Sequence, residues 1–216
     1  MPDRMIAAAL PLATIAEGAG VSTDELTEPQ AMHDAVLGPL VRVVEEAAGD
    51  DVWALVGAAS CRLQGADTHS PNLEFITTDA ALTTLAEMLD MPSTWGRGAH
   101  LAARRLHFMR GHVPVFVFAN PVFHGRYESL SPMDIPSLWD ARARIEVERA
   151  TVLATPLEWE LLLAVVLDSP ARLSALRDRM RERGFDGRLL TRLLREGHVE
   201  AATEEAVWAV LENDVD

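Results

Sequence analysis

Short apolar runs, each closed by glycine or polar turn residues, predict the strands of a sheet in the first two thirds of the chain. Three of these runs are rich in β-branched and aromatic residues and are short enough to be buried strands: residues 52–56, 73–77 and 113–119. Amphipathic spacing predicts a helix over residues 29–48, stopped by Gly49-Asp50-Asp51. It leads directly into the first strand, so we expect it to pack on the sheet.

Two further helices are predicted between the first and second strands and after the second. Residues 58–64 have helix-forming composition between Gly57 and Gly65, and Gly65 is typical of a helix C-terminus. Residues 66–71 form a polar loop. Thr78 is the predicted N-cap of a helix over residues 79–89, with Asp79 in its favourable first turn.

From residue 155 onward the apolar residues recur at helical spacing, and residues 156–213 are predicted to be almost all helix. Thr155, Pro156 and Glu158 predict a capping box with proline at the first helical position, and Ser169-Pro170 begins the next helix in the same way. The predicted organisation is therefore an N-terminal helical or turn segment (1–28), an α/β core (29–154) and a helical C-terminal region (155–216).

Residues 101–119 predict a β-hairpin that turns at Arg110-Gly111. With that turn, His107 and His112 share one face, which makes a metal site imaginable, although half-buried or exposed histidines are the default interpretation. In residues 141–153 apolar and charged residues alternate in part, and the segment is interpreted as an exposed strand, with a helix over residues 140–149 as the alternative.

The order strand, glycine, helix, glycine, loop and strand is carried by three short motifs: Gly57-Ala58, Leu63-Gln64-Gly65 and Asn72-Leu73-Glu74. This arrangement resembles the nucleotidyltransferase superfamily, in particular its small minimal members, whose core has a Gly-Ser pair followed by a strand carrying Asp-x-Asp. The resemblance implies an α+β fold. In it, a mixed, nucleotidyltransferase-like sheet is flanked by helices and followed by an all-helical C-terminal region.

The resemblance also implies where magnesium and nucleotide would bind. Magnesium prefers hard oxygen ligands, and positions i and i+2 of a strand point to one face, so Asp-x-Asp directs two carboxylates at the metal. Here the first position is Asn72 and the second is Glu74, while the third carboxylate, on the strand 113–119, is replaced by Phe116 or Phe118. The serine of the Gly-Ser pair is Ala58. We therefore expect a nucleotidyltransferase fold without catalysis that acts as a binding or regulatory module, with no cofactor.

Two other functions remain open at this stage. An active enzyme would need magnesium at a relocated site built on Glu74 with Asp79 or Asp67. If the chain is instead the non-catalytic binding module, nucleotide binding would use Gly57, Ala58 and Arg62, since a helix N-terminus favours anions. The other class is a DNA-binding regulator that would use either the N-terminal turn or the arginine-rich tail from Arg172 to Arg195. Residues 15–22 resemble the turn of a helix-turn-helix, but an ordinary turn with a capping box, Ser22 with Glu25, is the favoured interpretation.

Composition restricts these functions further. The net charge is −14, and all 19 basic residues are arginine. The acidic excess argues against a sequence-independent nucleic-acid binder. One cysteine, Cys61, excludes a disulfide framework and suits a reducing cytoplasm. No apolar run is long enough to span a membrane, and residues 5–16 are interpreted as mature chain, not a signal peptide.

The C-terminal region concentrates positive charge: eight arginines lie from Arg172 to Arg195. We expect these side chains to be mostly exposed and to form a face that docks an acidic protein partner, such as the acidic half of a second copy. The sequence does not fix the oligomeric state.

Overall fold

The computed structural model describes residues 27–212 of the chain, and it describes the side chains from residue 35 onward. The segments discussed above at residues 5–16 and 15–22 lie outside the described residues. The helices are α1 (Thr27–Ala48), α2 (Ala58–Leu63), α3 (Asp79–Met88), α4 (Pro136–Asp140), α5 (Leu157–Val166), α6 (Pro170–Arg183), α7 (Gly187–Glu196) and α8 (Ala201–Glu212). The strands are β1 (Trp53–Val56), β2 (Leu73–Thr77), β3 (Thr94–Arg97), β4 (Leu101–Arg110), β5 (Val113–His124), β6 (Ser129–Leu130), β7 (Ala143–Val147) and β8 (Ala150–Ala154).

Within the described residues the strands form one mixed sheet in the order β3-β4-β5-β2-β1-β8-β7, with β6 paired to the end of β5. Strand β2 runs parallel to β5 and antiparallel to β1, while β1 runs parallel to β8. The predicted strands at 52–56, 73–77 and 113–119 are confirmed, and so is the adjacency of the last two. Strand β5 extends five residues beyond its prediction.

Helices cover both faces of the sheet, and the side-chain alternation of the strands divides the core between them. Trp53 and Leu55 belong to the cluster packed under α1 and α3. Ala54, Val56 and Ile76 belong to the cluster under the C-terminal helices. Glu74 lies two residues before Ile76 on β2 and therefore faces the C-terminal helices, where its charge must meet partners from α5 and α6.

The C-terminal region is helical as predicted, through α5 to α8. The N-cap of α3 is also confirmed, because the Thr78 side chain accepts a hydrogen bond from the Ala81 N–H at 3.1 Å. The capping box before α5 is wrong. Thr155 instead donates its hydroxyl to Glu160, and Glu158 accepts from the Asp186 N–H at 2.9 Å.

The hairpin prediction is right in kind and wrong in register. Arg110 pairs with Val113, so the turn is at Gly111-His112 and not at Arg110-Gly111. His112 therefore lies in the turn, while His107 lies on β4 opposite Phe116, and the predicted pair of facing histidines is wrong. Residues 141–153, predicted as one exposed strand, contain β7 and most of β8, which form a second hairpin.

Among the described residues, α1 is the longest helix, and neither it nor any other is both long and apolar enough to cross a membrane.

Candidate functional site

The turn between β1 and α2 places a glycine at the floor of the site. Gly57 has φ 77° and ψ −151°, a combination that essentially only glycine adopts. Its N–H donates to Oε1 of Glu160 at 2.8 Å. A β-carbon at this position would lie 3.0 Å from Oε2 of Glu74, so the absent side chain leaves room for that carboxylate. Gly57 thus contacts both acidic residues of the site.

Asn72 and Glu74 are brought together as their spacing predicts. The Asn72 side-chain amide donates to Oε1 of Glu74 at 3.2 Å, and Glu74 is half-buried. On the neighbouring strand, Phe116 is directly opposite Glu74, and Phe118 is opposite Ile76. Of the two phenylalanines at the predicted third position, Phe116 is therefore the residue beside Glu74.

The aromatic residues beside Glu74 form a continuous stack. The ring of Phe116 lies 4.4 Å from that of His107 and 6.0 Å from that of Phe118, with interplanar angles of 12° and 7°. The place that the sequence resemblance gives to a third metal-binding carboxylate is thus part of an apolar, aromatic surface.

Two charged residues of the site were missed by sequence reasoning. Glu160 on α5 is fully buried; its Oε1 accepts from Gly57 and from the Thr155 hydroxyl, whereas its Oε2 has no hydrogen-bond partner. Nη1 of Arg172, on α6, lies 3.7 Å from that Oε2, and its side chain is 9% exposed. Arg172 also lies in the first turn of its helix, where the macrodipole disfavours a cation. Its position therefore reflects the two carboxylates, not helix preference.

The buried location changes the protonation of both carboxylates. Burial raises the pKa of Glu74, and the neighbouring charge of Glu160 raises it further, while Arg172 and the Asn72 amide act in the opposite direction. Burial likewise raises the pKa of Glu160, against the opposing effects of Arg172, the Thr155 hydroxyl and the Gly57 N–H. One guanidinium is thus shared by two carboxylates that both resist ionisation.

The raised pKa of Glu74 predicts a specific dependence of stability on pH. From its ordinary value of 4.5 up to its raised value, the folded state binds more protons than the unfolded state, so the free energy of unfolding falls as pH rises through that window. The Glu74→Gln variant lacks this contribution, so its stability relative to the wild type should increase as pH rises from about 4.5. Urea unfolding of both proteins at a series of pH values measures the difference, which contains the titration of Glu74 and its coupling to Glu160, whereas the distant carboxylates cancel. Parallel pH curves would contradict the raised pKa.

A cavity of about 140 Å³ opens above Glu74. Its walls are mainly apolar, formed by Val56, Phe116, Phe118, Phe123, Leu163 and Leu167. Its polar lining includes Asn72, Glu74, Arg105, Arg172 and His100, together with Gly57 at the β1–α2 turn. The site is therefore an apolar chamber with Glu74 and Arg172 facing it.

Other predicted site residues lie elsewhere. Ala58 and Arg62 belong to α2 and do not line the cavity. Asp79 is the first residue of α3, beyond the far end of β2, and Thr77 at that end is already about 10 Å along the strand from Glu74. There Asp79 accepts from the Asn120 amide and pairs with Arg104. Asp67 is exposed and lines a surface depression beside α6. The structure does not bring either aspartate to Glu74.

The residues present do not fit a magnesium site. Among the described residues, no group of three or more His, Cys, Asp or Glu side chains could hold a metal ion. The positive charge beside Glu160 comes from the Arg172 guanidinium. Phe116, which lies opposite Glu74 on the neighbouring strand, offers no ligand atom.

The arginines of the C-terminal region divide into two groups. Arg172 is buried in the site, which corrects its assignment to an exposed docking face. The others are half-buried or exposed, and the exposed ones are Arg181, Arg183, Arg188, Arg192 and Arg195. The expectation of mostly exposed side chains is therefore confirmed for the rest of the group.

Comparison with known proteins supports the fold. No protein-family model matches the sequence, and no curated protein matches it. A crystal structure from Thermotoga maritima, provisionally assigned as a nucleotidyltransferase, aligns with a TM-score of 0.51 at 13% identity, covering 72% of this chain and 96% of its own. The solution structure of the antibiotic-resistance factor ANT(2'')-Ia aligns with a TM-score of 0.42 at 11% identity, covering 82% of this chain and 91% of its own. At these identities the first alignment shows the fold alone: the chain has a nucleotidyltransferase-like α+β fold.

Proposed function

We propose that this chain is a nucleotidyltransferase-fold protein that does not transfer nucleotides and acts as a binding module, with the cavity above Glu74 as its binding site. The observation that carries the proposal is the position of Arg172. A buried side chain of the protein already supplies positive charge beside Glu160 and acts electrostatically on Glu74.

The chemistry of nucleotidyl transfer explains why this arrangement opposes catalysis. The reaction depends on magnesium to neutralise the triphosphate and to align the attacking hydroxyl. A lone half-buried carboxylate holds hydrated magnesium weakly, because the ion gives up its waters only to several oxygen ligands at once. A fixed guanidinium can neutralise the carboxylates, but it has no vacant coordination position for a phosphate and an attacking oxygen together. The largest electrostatic contribution to the rate is therefore missing.

The active alternative requires a second carboxylate beside Glu74. Asp79 and Asp67 were the candidates from sequence, and each has other surroundings: Asp79 contacts Asn120 and Arg104 at the far end of β2, and Asp67 lies on the surface near Arg179. Glu160 is near Glu74 but is held by Gly57 and Thr155 and faces Arg172. These contacts favour the binding module.

The proposal is tested by incubating the protein with labelled nucleoside triphosphates, magnesium or manganese, and a panel of hydroxyl acceptors. We expect no incorporation above the level of the Glu74→Gln variant, because neither protein can assemble the metal pair. Glu182→Gln, which removes a largely exposed carboxylate on α6, serves as the matched control. Incorporation by the wild type and by Glu182→Gln that Glu74→Gln abolishes would overturn the proposal and establish the active alternative.

A further inference from the structure

We infer that the cavity above Glu74 binds a small organic monocation, an ammonium or guanidinium group on a compact aromatic or apolar body, with the Glu74 carboxylate as its counter-ion. The inference rests on the proposed function in one respect, namely that this cavity is a binding site. It goes further by naming the chemical class of the ligand.

The first argument is the charge balance inside the site. Arg172 lies 3.7 Å from Glu160, whose carboxylate is fully enclosed and whose Oε2 has no hydrogen-bond partner. Glu74 receives one neutral hydrogen bond, from the Asn72 amide. When both glutamates are ionised, two negative charges face one positive charge in a largely apolar chamber. Uncompensated charge in such surroundings is unfavourable, so the site favours either a proton on Glu74 or a cation beside it.

The other charged groups of the lining do not provide that cation. Arg105 lines the cavity from β4, but its guanidinium lies over Gly96 on β3, where an added β-carbon would be 3.4 Å from the Arg105 Cζ. Strand β3 is three strand spacings from β2, about 14 Å. His100 is exposed in the segment before β4. The groups that act on Glu74 from the packed helices are therefore Glu160 of α5 and Arg172 of α6.

The second argument is the shape and chemistry of the walls. Phe116 lies on the strand beside Glu74, and both it and Phe118, whose ring is nearly parallel to it, line the chamber. Aromatic rings stack with other rings and attract cations. A triphosphate would instead bring several negative charges to the two glutamates. The walls and the charges thus favour the same ligand, a cation with an apolar body.

The volume sets the size of that ligand. The cavity is about 140 Å³, and an apolar cavity of about 150 Å³ engineered in another protein takes up benzene. One six-membered ring therefore fills most of the chamber, and an attached aminomethyl group can reach Glu74. Benzylamine is a suitable probe, with benzyl alcohol as the neutral analogue of the same shape and benzoate as the anionic one.

The experiment compares these three probes by titration calorimetry and by ligand-observed NMR on the full chain. We expect saturable binding of benzylamine, binding of benzyl alcohol weaker by at least about tenfold, and no binding of benzoate, because only the amine adds a charge-assisted hydrogen bond. The affinity for benzylamine should rise with pH as Glu74 loses its proton, as long as the amine stays protonated. Equal affinities for benzylamine and benzyl alcohol in the wild type would overturn the inference without any variant.

The variants locate the binding site. Glu74→Gln should remove the preference for the amine and its pH dependence, whereas Glu182→Gln should leave both unchanged. Amine binding that survives unaltered in a folded Glu74→Gln protein would also refute the inference. Failure of this inference is distinguishable from failure of the proposed function. If the wild type does not bind benzylamine and the transfer assay is negative, only the inference is refuted. Metal-dependent incorporation refutes the proposed function, whether or not benzylamine binds.

Discussion

Replacing Arg172 by methionine should lower the free energy of unfolding by about 3–5 kcal/mol at neutral pH, because it leaves two carboxylates in the site without a counter-charge. The loss should shrink as the pH falls towards 4.5. Without the guanidinium, the pKa values of Glu74 and Glu160 rise further, so the folded variant takes up protons that relieve the uncompensated charge. Urea unfolding of the wild type and of the variant at several pH values measures both the size and the pH dependence of the effect.

Two further variants separate the charge effect from lost packing. Arg172→Met combined with Glu160→Gln removes one cation and one anion together, and it should recover most of the stability that the single substitution loses. Arg177→Met removes a partly exposed arginine of the same helix, which pairs with Asp178, and should change stability by less than about 1 kcal/mol. If the double variant is no more stable than Arg172→Met, Arg172 stabilises the fold through packing and not through Glu160.

The strands that carry the site were predictable because their signals are local. Runs of β-branched and aromatic residues between glycine and polar turns located β1 and β2 within a residue of their bounds, and they located the first part of β5. The alternation along β2 then placed Asn72 and Glu74 on one face. The partner strand followed from the resemblance, and the register between β2 and β5 decided that Phe116, not Phe118, is the neighbour of Glu74.

The helical half of the site was not predictable in the same way. Gly57 and Glu160 are 103 residues apart, and no local pattern states that α5 and α6 cross this part of the sheet. A weaker signal was present: α5 is apolar on nearly all sides, so acidic residues within it must be buried and paired. Glu158 was instead interpreted as half of a capping box. In the structure Thr155 contacts Glu160 and the Leu55 carbonyl, and Glu158 accepts from the Asp186 N–H, so a locally favourable motif yields to the buried site and to a contact 28 residues away.

The hairpin error has a different cause. Arg110-Gly111 and Gly111-His112 are both acceptable two-residue turns, and moving the turn by one residue moves every cross-strand partner by two, so each side chain keeps its sheet face in either register. The alternation along the strand therefore does not distinguish the two turns. In the observed register Arg110 pairs with Val113 and His107 lies opposite Phe116. Val113, Val115 and Val117 enter the core under α1 and α3, while Phe116 packs on the side of the C-terminal helices and lines the cavity.

Replacing Gly57 by alanine should destabilise the protein and also remove its preference for benzylamine over benzyl alcohol. The backbone at Gly57 has φ 77° and ψ −151°, which costs about 1–3 kcal/mol for any residue with a β-carbon. In addition, the new methyl group would lie 3.0 Å from Oε2 of Glu74, so the carboxylate must move from its place beside Asn72. We expect that displacement to add about 1 kcal/mol. Urea unfolding and the two-probe titration measure the two effects.

Gly184 provides the matched control for this substitution. Its backbone has φ 78° and ψ 170°, close to that of Gly57, but an added β-carbon would meet nothing within 4 Å. Gly184→Ala should therefore show the backbone cost alone and retain the preference for the amine. The difference in stability between the two variants isolates the contact with Glu74, because the strain of the left-handed backbone is common to both. Equal stabilities together with equal amine preferences would mean that Glu74 is not held against Gly57, and the carboxylate would then lack the fixed position that recognition of a cation requires.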